Sequence, residues 1–328
     1  MPHITFVHGI SNKPAAAELH SLWLRALARD DGLDCNTEGI TSSMVYWADV
    51  MYASPDPNVE SLESADDLLE AQHEAAPGTE AETSAWREQL PPDERAFVES
   101  LAQQLGTDLP DDVAPPTETT RGKAAGEPGT LTKKEMEAVA VLERVPLPWF
   151  IKRPIMKLLL RDVHHYLFNS KHSPRPGASY EVQKEIRRRF VDAVKQGAAT
   201  DGPHIVISHS MGTVVAYDCL KRVADCPEVD ALFTIGSPLG LDEIQDKLKP
   251  EWSRADGFPA KVKGPWINVY DPLDPVVGFD PKFGNDYLRG GQGTVEDIKE
   301  ENWGKWRHSI TKYLYGPKLR DRLGKVFA

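Results

Sequence analysis

The run Ile205-Val206-Ile207-Ser208-His209-Ser210-Met211-Gly212-Thr213-Val214-Val215 constrains this chain more than any other feature. The segment His204–Ile207 reads as a buried strand and Gly212–Ala224 as a helix. Only a few residues separate them. A strand that turns into a helix so quickly brings their backbones almost into contact, so positions 208 and 212 must be small. The turn also lifts the Ser210 hydroxyl above the sheet, with the positive end of a helix beneath it. The Met211 backbone N–H is then placed to stabilise an oxyanion.

The rest of the chain supplies a sheet for this turn. Ile4–Val7, Ser43–Met51, Ala231–Ile235, Trp266–Tyr270 and the weaker Thr294–Ile298 read as strands. Leu19–Arg29, Tyr180–Lys195 and a C-terminal stretch from Ser309 to Leu314 read as helices. Strands alternating with helices imply an α/β fold with a mostly parallel sheet covered on both faces. Ligands in such folds lie at the C-terminal ends of strands.

Charge divides the chain. The net charge over 328 residues is −12, yet Asp56–Glu118 alone carries 17 acidic residues against Arg87 and Arg95, a net of −15. Helices are expected there at Val59–His73 and Asp93–Gln104, and a loop at Leu109–Thr130. A basic and apolar stretch follows; Thr119–Arg175 nets +6, and Trp149–Phe168 reads as a helix. Residues 53–177 are therefore expected to form an acidic insertion plus a helical cap on a core of 1–52 and 178–328. The 145–168 helix would shield the site or meet a membrane surface or an acyl chain. The acidic balance argues against nucleic acid as a partner. No run of about 18 apolar residues and no signal peptide is seen, and Cys35, Cys219 and Cys226 have no metal-ligand spacing, so free thiols and a cytoplasmic location are expected.

Other motifs are weak. His164-His165 lacks further metal ligands at suitable spacing, so no metal is expected. Gly290-Gly291-Gln292-Gly293 lacks the Lys-Ser/Thr of a phosphate loop, and no GxGxxG follows the first strand, so no cofactor is expected either.

With the Ser-His-Ser-Met-Gly elbow, a first strand ending in Phe6-Val7-His8-Gly9-Ile10, and Gly236-Ser237-Pro238 after a later strand, the chain resembles the α/β-hydrolase superfamily. More narrowly it is similar to its lipase- and esterase-like serine hydrolases. The departure is Ser208, where the first glycine of the motif usually stands. The resemblance implies a nucleophile at Ser210 and an oxyanion hole made by the backbone N–H groups of Met211 and Ile10, with Gly9 the alternative to Ile10. It implies the chain order Ser, acid, His. Of ten histidines only His308 follows every candidate acid, so His308 is the expected base. Two carboxylates compete for the third place. Asp274, in Asp-Pro-Val, matches the context in which similar hydrolases put their acid; Asp271, at the strand end, is the alternative. His8 and His209 are expected to be structural, and Gly236-Ser237-Pro238 to shape the pocket wall.

The implied activity is hydrolysis of a carboxylic ester, lipid esters included, through a Ser-His-Asp acyl-enzyme. An acyltransferase or thioesterase would use the same triad. A catalytically inactive α/β-hydrolase scaffold acting as a binding protein is the reading from another class.

Overall fold

The computed structural model describes residues 1–57, 87–104, 159–277, 280–304 and 306–327. The expected helix Val59–His73, the loop Leu109–Thr130 and the apolar–basic stretch before residue 159 lie outside these residues.

In chain order the strands are β1 (His3–Val7), β2 (Thr41–Val45), β3 (Lys171–Arg175), β4 (Ala178–Glu181), β5 (His204–His209), β6 (Ala231–Ile235), β7 (Trp266–Tyr270) and β8 (Val295–Lys299). The helices are α1 (Ala16–Ala28), α2 (Ala48–Met51), α3 (Pro92–Gln104), α4 (159–167), α5 (Val182–Ala198), α6 (Met211–Arg222), α7 (Asp242–Lys247), α8 (Ile310–Tyr315) and α9 (Pro317–Phe327).

Six strands form one sheet in the order β2-β1-β5-β6-β7-β8, every neighbouring pair parallel. The protein is thus an α/β fold with a parallel sheet between two helical layers. Side-chain alternation along each strand divides the core. Ile4, Phe6, Ile205, Ile207, Phe233, Ile235, Ile267 and Val269 pack on one face against Leu19, Trp23, Tyr313 and Leu319 of α1, α8 and α9. Val7, Val206, Leu232 and Trp266 point the other way, to α3, α4, α5 and α6. Burial on both faces is why these strands are near-continuous apolar runs.

The chain leaves β1 for β2 on one side and returns to β5 on the other. Sequential order therefore reverses between β1 and β5, and in such sheets ligands bind outside the C-terminal ends of the strands at that switch point. Val7 pairs with Ser208 there, two residues before Ser210.

Several elements differ from expectation. The strand expected at Ser43–Met51 ends at Val45, and Ala48–Met51 is a helical turn. β1 offers only five residues to pair, from His3↔Thr41 to Val7↔Val45, and the next free backbone donor, the Trp47 N–H, is taken by the His8 ring. The helix expected at Tyr180–Lys195 is displaced to Val182–Ala198, because Ala178–Glu181 pairs with Lys171–Arg175 as a hairpin. Its turn, Pro176-Gly177, places Gly177 at φ 79°, a value natural to glycine. A second C-terminal helix, Pro317–Phe327, follows α8 after Gly316.

The described helices of the expected insertion pack onto the core. Phe97, Val98 and Leu101 of α3 and Leu159, Leu160, Val163 and Tyr166 of α4 are buried in the same apolar cluster as Val7 and Val206. Within 145–168, the described apolar residues thus face the core. Glu94 meets His164 at 2.6 Å, and the Ser100 hydroxyl donates to Glu243 of α7 at 2.8 Å. Cys35, Cys219 and Cys226 are buried and unbridged. Among the described residues no helix is long and apolar enough to cross a membrane.

Candidate active site

Ser210 sits between the last residue of β5 and the first of α6, with φ 53° and ψ −129°. A non-glycine residue holds such a backbone only where its surroundings over-determine it. They do so here. The Ser210 N–H donates to the Ile235 carbonyl at 2.9 Å, and its own carbonyl accepts the Thr213 N–H at 2.9 Å and the Thr213 hydroxyl at 2.6 Å. With its proton committed, Thr213 Oγ1 accepts from the Ser237 hydroxyl at 2.7 Å. Ser237 therefore braces the turn, a part the sequence had given only to the pocket wall.

The two small positions of the turn have distinct reasons. A Cβ at Gly212 would lie 2.5 Å from the carbonyl oxygens of Val7 and His8, so only glycine fits. Ser208 is accommodated because its hydroxyl donates to the Phe233 carbonyl of β6 at 2.9 Å. The departure from the usual glycine thus costs no unsatisfied polar group.

His308 comes from the loop between β8 and α8. Its Nδ1 lies 2.7 Å and 2.9 Å from the two carboxylate oxygens of Asp274. Asp274 is further held by the Val276 N–H at 2.8 Å and the Tyr313 hydroxyl at 2.8 Å. Asp271 does not reach His308. It accepts the Leu273 N–H at 2.7 Å, the Asn302 N–H at 2.6 Å and an Arg307 N–H at 3.3 Å, which secures the loop bearing His308. The Tyr313 hydroxyl also accepts the Asp271 N–H at 2.9 Å and so bridges the two acids. Burial, and then the Asp274 charge, raise its pKa well above the tyrosine norm, so it remains a donor.

Gly236, at φ 54°, joins the parts. A Cβ there would stand 2.9 Å from Asp274 Oδ2 and 3.1 Å from His308 Nδ1, while the preceding carbonyl is the one that holds Ser210 N–H. Ser210, Asp274 and His308 are all buried. Ser210 Oγ and His308 Nε2 have no hydrogen-bond partner, and so do not bond one another in this state. Such bonds commonly tighten only once substrate is bound.

Met211 opens α6, so its N–H is one of the four that a helix leaves without an intrahelical partner. The other expected donor lies on the loop after β1. A Cβ at Gly9 would stand 2.6 Å from Ser210 Cβ, so this loop abuts the serine directly. His8 governs it. The ring accepts the Trp47 N–H at Nε2 (2.9 Å), which leaves Nδ1 as the donor to the Gly9 carbonyl (2.8 Å). It stacks on Trp47 at 4.7 Å, and the indole N–H donates to the His8 carbonyl at 3.0 Å. In the trans Gly9–Ile10 peptide the Ile10 N–H points opposite to that held carbonyl. Burial and then the Lys13 charge drive the His8 pKa well below 6.5, which keeps this arrangement neutral.

Ser210, Asp274, His308, Met211 and the loop carrying Ile10 therefore gather at the ends of β1, β5, β6, β7 and β8. Ser237 and the His8 ring, both already marked by sequence motifs, complete the frame together with Thr213 and Tyr313, which no local motif marks. Among the described residues no cluster of three or more potential metal ligands occurs.

No family model and no curated protein matches this chain. A solved structure, an uncharacterized protein from Pseudomonas aeruginosa, aligns at 9% identity with a TM-score of 0.28; the alignment covers 92% of this chain and 40% of that one. This chain thus spans well under half of that protein's length, and a likeness so faint carries no argument about fold or activity.

Proposed function

We propose that this protein is a serine hydrolase of the α/β-hydrolase type that cleaves a carboxylic ester through an acyl-enzyme. The observation that supports it best is the pairing of a strained Ser210 at a strand-to-helix turn with an Asp274–His308 contact of 2.7 Å at the same end of the sheet. In this reading His308 Nε2 takes the Ser210 proton as Oγ attacks the ester carbonyl. Asp274 holds the Nδ1–H tautomer and stabilises the imidazolium that forms. The developing oxyanion is met by the amides of Met211 and Ile10. His308 returns its proton to the departing alcohol, and water repeats the sequence to free the acid. The closed surroundings of Ser210 and His308 mean that a substrate enters only when neighbouring groups move aside.

The test is labelling with a fluorophosphonate alongside turnover of p-nitrophenyl esters from acetate to palmitate. Wild type is expected to label and to turn over at least one ester, and Ser210→Ala to do neither. Folded wild type that stays unlabelled and inactive across the series would overturn the reading. A preference for chains of eight carbons or more would identify a lipid ester; a short-chain-only profile would remove that substrate class.

A further inference from the structure

Resting on the hydrolase reading, we infer that Asp162 is a positioning residue for the oxyanion loop, acting through the Ser11 backbone. Asp162 lies on α4, 151 residues from Ser11, yet its Oδ2 accepts the Ser11 N–H at 3.0 Å. It is 1% exposed. Ser11 is a buried non-glycine residue at φ 66°, so its conformation depends on outside support. Without that carboxylate a buried amide would be left unsatisfied.

The geometry ties this contact to Ile10. Two peptide planes flank the Ile10 Cα. The first carries the Ile10 N–H, and its carbonyl is held by the His8 ring at 2.8 Å. The second carries the Ser11 N–H and is held by Asp162. With a hydrogen bond on each plane, φ and ψ of Ile10 are restrained, and the amide expected to meet the oxyanion is preorganised. Releasing the second plane would let Ile10 turn and weaken a donor used only in the transition state.

Asp162 is itself held on several sides. The Tyr52 hydroxyl lies 3.1 Å from Oδ2, and Arg161 reaches Oδ1 at 3.3 Å. Arg161 also donates to the Tyr52 hydroxyl at 2.7 Å, with its guanidinium 5.1 Å over the Tyr52 ring. Tyr52 and Asp162 stand 110 residues apart in the chain, so this cluster ties α4 to the segment after α2 as well as to the oxyanion loop.

Two substitutions test this, with p-nitrophenyl butyrate, or the best ester of the series, as substrate. Asp162→Leu keeps the branched outline, with bulkier methyls, and removes the acceptor; Asp162→Asn keeps an acceptor for Ser11. Asp162→Leu is expected to lower kcat at least 30-fold with KM within threefold, and Asp162→Asn to stay within fivefold of wild-type kcat. Circular dichroism and a thermal transition check that each variant is folded. A folded Asp162→Leu with wild-type kcat, or with its loss confined to KM, would overturn the inference. So would a folded Asp162→Asn that loses more than tenfold in kcat, which remains decisive if the leucine variant does not fold. A wild type without turnover or labelling removes the hydrolase reading instead, which separates the two failures.

Discussion

The His209 ring lies 4.5 Å from the His308 ring, and its Nε2 is 2.9 Å from the His308 carbonyl. A carbonyl only accepts, so His209 carries its proton on Nε2 and steadies the backbone of the residue beside it. Burial, then the nearby His308, then Lys13 push the His209 pKa well below 6.5.

Acid should therefore destabilise this protein well before its carboxylates titrate. Below about pH 6.5 the unfolded chain binds protons at His8 and His209 that the folded chain refuses. Stability is fully present above that pH and falls as the pH drops, by about 1.4 kcal/mol per pH unit for each such group. His204, lowered to about 4, and His165, lowered to about 3, add in the same direction. Urea midpoints measured from pH 7.5 to 5 should decline steadily, and His209→Gln should make the decline shallower. A flat profile would contradict the assignment of neutral buried rings.

The strained turn makes a stability prediction opposite in sign to its effect on activity. Ser210→Gly relieves the positive φ but frees the unfolded backbone, for a net gain of about 1 kcal/mol. Calorimetry should show a higher Tm in a variant with no esterase activity. A lower Tm would mean that the serine side chain is held more favourably than its backbone suggests.

The two aspartates should separate cleanly. Asp274→Asn leaves His308 in the wrong tautomer, with an expected fall in kcat on the order of 10³- to 10⁴-fold. Asp271→Asn weakens the ties to Asn302 and Arg307, costing about 1–3 kcal/mol of stability with a much smaller loss of kcat. Steady-state kinetics and denaturation on both variants read the difference; equal kinetic losses would put Asp271 in the reaction.

Crowding at Gly9 can be tested against a glycine with open surroundings. Gly9→Ala thrusts a methyl at Ser210 Cβ and the His209 carbonyl, and should cost about 1–3 kcal/mol and more than tenfold in kcat. Gly324→Ala in α9 has nothing within 4 Å and should stabilise by about 0.5–1 kcal/mol at unchanged activity. Thermal unfolding and p-nitrophenyl ester turnover of the pair are the measurement.

The parts of the fold legible beforehand are those whose cause is local. A doubly buried parallel strand is a short apolar run, and an elbow needs small residues at 208 and 212, so β1, β5, β6, β7 and the Ser210 turn all leave a trace in neighbouring residues. The hairpin 171–181 does not, because its residues alternate in exposure without an apolar face and include two prolines. Context favoured Asp274 over Asp271 without deciding between them. Both follow a buried strand and precede a proline, and only the path of the loop after β8 decides which one meets His308. Tyr313 and Asp162 were invisible for the same reason: their partners lie 39 and 151 residues away. Chain order could name His308, but it says nothing of groups that merely hold others in place.

The position of β1 in the sheet has a consequence for the chain while it is being made. β1 lies between β2 and β5, and His3 finds one of its partners only at His204. At about 5–20 residues per second, a ribosome needs on the order of 10–40 s to reach that strand. Throughout this interval one edge of an apolar strand is open to pairing with other nascent chains. The stretch Asp56–Glu118, with its net charge of −15, emerges within the same interval. Like charge on neighbouring chains adds a repulsion that opposes such pairing.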